Sequence, residues 1–126
     1  MSIQEKISKA LSTAMQYLED ALSTDNKDVE ALENDVWHIA SELEHALLLF
    51  SLKFEDNNPS EWISNLPRKK ETRETLTSVY ELIKQSINAL TKGDLLDAYR
   101  EAYAARHYIF LLQEEGSKKK RKRQKE

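Results

Sequence analysis

A chain of 126 residues falls within the range of one domain, and 2 Gly and 2 Pro are too few to turn the many strands of a β architecture. The absence of Cys excludes a disulfide framework, a thiolate zinc site and a cysteine nucleophile. The formal net charge of -3 hides an asymmetry: residues 116–126 hold seven Lys and Arg against Glu126, a balance of +6, which leaves -9 for everything before them.

The first ten residues carry Glu5, Lys6 and Lys9 in place of the apolar run of a secretory signal, and no stretch approaches 18 consecutive apolar residues. A cytoplasmic protein is the expectation. Ile3, Ile7, Leu11, Ala14, Leu18 and Ala21 follow the three-and-four spacing that gathers one stripe on a helix, so a first helix is predicted over 3–23. Thr24, Asp25 and Asn26 interrupt the pattern with side chains suited to a turn and an N-cap.

A second helix is predicted over 27–54, with its seam through Val29, Leu32, Val36, Ile39, Leu43, Ala46, Phe50 and Phe54. Its second half, Ala46-Leu47-Leu48-Leu49-Phe50-Ser51-Leu52, is apolar around most of the circumference, which suits the most buried helix or the one that meets a partner. Residues 55–71 read as a loop: Asn57-Asn58-Pro59 stops the helix, one short turn fits Ser60-Glu61-Trp62-Ile63, Trp62 pins the loop to the bundle, and Arg68, Lys69 and Lys70 form a small basic cluster.

Leu76, Val79, Ile83, Ile87 and Leu90 predict a third helix over 72–91, closed by Lys92-Gly93-Asp94, which supplies a C-terminal glycine and a new N-cap. So short a link makes the third and fourth helices antiparallel neighbours. The fourth, over 94–115, sets Leu95, Ala98, Ala102, Ala105, Ile109 and Leu112 in one stripe, with Tyr99, Tyr103 and Phe110 beside it. Gly116 is expected to end it, and the like charges that follow cannot bury enough apolar surface to offset ordering. The expected fold is therefore all-α: a four-helix antiparallel bundle over 1–115 with a disordered basic tail over 116–126.

Four constellations carry chemistry. Lys118, Lys119, Lys120, Arg121, Lys122, Arg123 and Lys125 can displace counterions from a phosphate backbone with little regard for sequence, and in a nucleated cell would also serve as a nuclear import signal. No aromatic residue interleaves them, so the stacking platforms of single-strand readers are missing. The bland reading of the same run is a solubilising tail.

Arg100 and His107 stand seven residues apart, nearly two turns, on one flank of the fourth helix. In Arg100-Glu101-Ala102-Tyr103-Ala104-Ala105-Arg106-His107 the chain resembles the HEPN-type helical domains, many of which are dimeric ribonucleases using an Arg, four to six residues, then a His in their last long helix. That resemblance implies a dimer in which His107 handles the proton of a ribose hydroxyl and Arg100 stabilises phosphorane charge. Family members commonly carry Asn, His or Asp after the arginine; Glu101 here opposes an approaching phosphate.

Glu42-x-x-His45 repeats the spacing of di-iron bundle proteins, with His38 on nearly the same face, but the second such motif is lacking and no metal or cofactor is expected. Trp37, Leu48 and Leu52 lie off the main seam of the second helix. They either meet a second neighbour inside the bundle or form a strip for a homodimer or protein partner. The function expected from these readings is a non-enzymatic interaction protein whose tail tethers nucleic acid or a ribonucleoprotein electrostatically. The alternatives are the HEPN-like ribonuclease and a protein-binding adaptor or toxin–antitoxin component. No membrane partner is expected.

Overall fold

The computed structural model describes residues 2–23, 28–54, 58–64, 66–67 and 71–125, with the side chains of 117–125 outside the described residues. The fold is all-α: α1 (Ile3–Ser23), α2 (Val29–Ser51), a 3-10 turn (Pro59–Ile63), α3 (Thr72–Thr91) and α4 (Leu95–Lys125), with no strand among the described residues.

Periodicity decides the core. Ile7, Leu11, Ala14 and Leu18 of α1, Ile39, Leu43, Ala46 and Phe50 of α2, Val79 and Ile83 of α3, and Ala98, Ala102, Ala105 and Ile109 of α4 are fully buried. Three of the buried residues of α4, Ala98, Ala102 and Ala105, are small side chains on the stripe expected from the sequence. Each fully buried Leu, Ile or Phe contributes on the order of 2–3 kcal/mol of transfer free energy.

The termini follow the chemistry of free helical amides and carbonyls. Asp28 caps α2 by accepting from Ala31 N at 3.1 Å. That corrects the cap expected at Thr24 to Asn26; residues 24–27 lie outside the described residues. At the other end Lys53 N donates to Phe50 O at 2.9 Å, a tightened last turn, so α2 stops three residues short of Phe54. Between α3 and α4, Gly93 takes φ 85° while Asp94 N donates to Ala89 O at 2.9 Å and Gly93 N to Leu90 O at 3.1 Å. This is a Schellman closure, and only glycine enters that left-handed conformation without a Cβ penalty.

Two contacts fix the direction of the helices. Gln4 at the start of α1 donates Nε2 to Leu90 O at the end of α3, so those helices are antiparallel. Phe50, late in α2, stacks on Tyr99, early in α4, at 5.2 Å, so α2 and α4 are antiparallel as well. Packing runs α1 to α2, α2 to α4, α4 to α3 and α3 to α1. Every neighbouring pair is antiparallel, and α2 and α3, on a diagonal, run the same way.

A chain leaving the end of α2 must therefore climb the length of the bundle before α3 can begin. The crossover climbs over α4. Trp62 meets Tyr99 edge-on at 5.0 Å, and further along α4 the Tyr108 hydroxyl donates to Pro67 O at 2.7 Å. Trp62 pins the loop, as expected of it.

Gly116 does not close α4. Its φ is not positive, an added Cβ would meet nothing within 4 Å, and the helix continues to Lys125. A glycine inside a helix costs about 1 kcal/mol, and Lys, Arg and Gln are among the better helix formers. The expected disorder of 116–126 concerns residues whose side chains, from 117 on, lie outside the described residues.

Candidate functional site

Three surfaces of the bundle hold the residues singled out by sequence before the basic tail. The first is the outer face of α4, which the crossover crosses. Ala104 on this helix is only 6% exposed, and the 3-10 turn of the crossover packs against α4. Arg100 lies beside Trp62, its guanidinium carbon 5.9 Å from the ring centroid, and reaches Asp97 at 3.8 Å. His107 is half-buried, its ring 6.3 Å from that of Tyr108. The two stand roughly 10 Å apart along the helix axis. Glu101 is half-buried between them in sequence, and burial first, then Asp97, raises its carboxyl above the usual range against the opposing pull of Arg100.

For the chemistry that the resemblance implies, Arg100 and His107 must act on one phosphate. Arg100 lies over the Trp62 indole and 3.8 Å from the Asp97 carboxylate, and the seven-residue spacing that carries the resemblance sets it about two turns from His107. On the crossover side, Arg100 adds a cation–π contact to Trp62.

The second surface contains the histidines of α2. His38 stacks on Tyr17 of α1 at 4.5 Å and meets Trp37 edge-on at 5.0 Å. Asp35, one turn before His38, has its carboxyl raised by burial and by Asp20, with His38 pulling the other way. Glu42 is half-buried and His45 is exposed. Among the described residues no three His, Asp or Glu side chains converge as metal ligands.

The third surface runs along α2 beside α4. Trp37 is 60% exposed, Leu48 63% and Leu52 56%. α2 has both its neighbours, yet these three side chains are not covered by either. Midway along the strip Glu44 accepts from Arg106 of α4 at 3.1 Å, and the same guanidinium sits 6.0 Å from the ring of Phe110, itself 42% exposed. Sequence reading missed the Glu44–Arg106 pair, since 62 residues separate the partners and only the α2–α4 register brings them together.

No protein-family model matches this chain, no curated protein matches it significantly, and no solved structure does.

The seven cations of Lys118 to Lys125 follow on the last stretch of α4, beyond Glu115. α4 leaves the bundle at the end where α2 and α3 begin. Arg68, Lys69 and Lys70 lie outside the described residues. No helix among the described residues is long and apolar enough to cross a membrane.

Proposed function

We propose that this protein is a non-enzymatic helical interaction module whose terminal cations hold nucleic acid or a ribonucleoprotein. One observation carries the reading: +6 is concentrated in 116–126 while the rest of the chain carries -9. A polyanion is attracted to one end of the molecule and repelled by the remainder, which makes the contact a tether.

The backbone of α4 supports the charge density this requires. At about 1.5 Å per residue, seven cations within Lys118 to Lys125 amount to roughly one charge per 1.7 Å, close to the spacing of phosphates along duplex DNA. Contacts of this kind read charge and carry no base sequence. If about five phosphates are neutralised, log affinity falls with log salt at a slope of about -3.5 to -4.5.

The test uses the full chain and a variant with Lys119, Lys120, Lys122 and Arg123 all replaced by Gln, which keeps helix propensity. Binding of RNA and duplex DNA is measured at two salt concentrations fourfold apart. The expected loss of affinity for the full chain is roughly 100- to 500-fold, with a much shallower loss for the variant. Equal affinity and equal salt dependence in the two proteins sinks the proposal. Metal-free RNA cleavage in the same tubes, abolished by His107→Ala, favours the HEPN-like ribonuclease in its place.

A further inference from the structure

We infer that the exposed strip of α2 is the interface of a symmetric homodimer, in which α2 of one copy lies antiparallel to α2 of the second. This stands apart from the tail and does not depend on it.

The pattern along the strip is what selects a second copy as the occupant. Trp37, Ser41, Glu44 and Leu48 share one exposed face of α2 at helical spacing, with Leu52 continuing it one turn on. A two-fold axis midway between Ser41 and Glu44 sets Trp37 opposite the partner's Leu48 and Ser41 opposite the partner's Glu44. The same two pairs then recur on the other side of the axis, which is the self-complementarity an isologous interface requires. The bulky apolar groups lie at the ends, and the small Ser41 near the axis lets the two helices approach.

Charge favours the same face. Copies of a body carrying -9 repel one another, so contact is least costly where carboxylates are few and answered. Between Trp37 and Leu52 the exposed face of α2 carries Glu44, and Arg106 of the same chain already balances it at 3.1 Å. In the dimer the Ser41 hydroxyl donates to that carboxylate across the axis, so the polar centre is satisfied as the apolar ends close. Phe110, beside Arg106 on α4, extends the apolar area toward the partner.

Two measurements test the register. Sedimentation over a wide concentration range is expected to show a monomer–dimer equilibrium for the full chain, with Leu48→Lys raising the dissociation constant at least about tenfold. Leu48 is exposed in the single chain, so circular dichroism of the variant stays that of the parent. The chain has no cysteine of its own, so a Ser41→Cys protein treated with a short bismaleimide is expected to cross-link to a dimer, and Lys84→Cys, on α3 across the bundle, is not. A monomer at every concentration overturns the inference. So does a dimer that cross-links no better through Ser41→Cys than through Lys84→Cys, or one that Leu48→Lys leaves unchanged.

Discussion

The Tyr108 hydroxyl on α4 donates to the carbonyl of Pro67 at 2.7 Å, and this bond joins the upper part of the crossover to the helix it climbs. The tyrosine is buried, and that burial raises its phenol above the ordinary range. Lower down, Trp62 holds the same crossover against Tyr99 and Tyr103. The two anchors fix a connection whose length alone would leave it loose.

Tyr108→Phe removes the hydrogen-bonded anchor while keeping the ring. The expected destabilisation is about 1 kcal/mol, or roughly 4 °C in melting temperature for a chain of this size. Thermal unfolding checks it, and limited proteolysis is expected to cut the crossover faster in the variant. An unchanged melting temperature means the Pro67 carbonyl finds water as readily as the phenol.

Phe50 and Leu48 lie two residues apart on α2 and face opposite ways. Phe50 is fully buried and stacked on Tyr99, whereas Leu48 is mostly exposed. Phe50→Ala is expected to cost about 3–5 kcal/mol through lost transfer energy and a residual cavity. Leu48→Ala should change the stability of the single chain by no more than about 0.5 kcal/mol. Urea unfolding at low protein concentration separates the two; comparable losses would contradict the exposure seen here.

Where sequence and structure agree, one physical cause acted alone. The bounds of α1 and α3 follow from uninterrupted stripes, and the Gly93 turn from a conformation that other residues resist. At the start of α2 four residues of capping chemistry compete, Thr24, Asp25, Asn26 and Asp28, and local sequence does not rank them. At Gly116 the backbone of α4 runs on to Lys125 instead of closing, through residues that are strong helix formers. The direction of α3 was illegible, because a loop of some twenty residues reaches either end of the bundle.

The candidate surfaces were legible to the same extent. Trp37, Leu48 and Leu52 stand off the seam in any helical projection, but their exposure depends on where α1 and α4 lie around α2. Ile87 was expected on the seam of α3, and Ser86 holds that place: Leu76, Val79, Ile83, Ser86 and Leu90 repeat at three and four, while Ile87 is half-buried. Spacing would have found Ser86 had polarity not removed it from consideration.

Ser86 gives the third prediction. It is fully buried, and its hydroxyl donates to Ala98 O on α4 at 2.7 Å, so its polarity is satisfied across the α3–α4 contact. Ser86→Ala is expected to cost about 1 kcal/mol. Ser86→Leu, which adds volume opposite the small Ala98, should cost about 1–3 kcal/mol by overpacking. Chemical denaturation of both variants gives the order, and a Leu variant more stable than the Ala variant would reveal unfilled space at this contact.

The Glu101 carboxyl makes stability depend on pH. Burial, with Asp97 adding to it and Arg100 opposing, raises its folded-state pKa above the ordinary 4.5. The folded protein thus holds this proton more tightly than the unfolded chain does. Its contribution to stability is fully present below pH 4.5 and is lost as pH rises through the raised value. Glu101→Gln has no proton to lose and escapes that loss. The variant is therefore expected to gain stability relative to the parent between pH 4 and pH 7, with the gain levelling off once Glu101 of the parent is ionised. Urea midpoints measured at half-unit steps across this range check the direction; a gain that shrinks toward pH 7 would mean that the attraction of Arg100 outweighs desolvation.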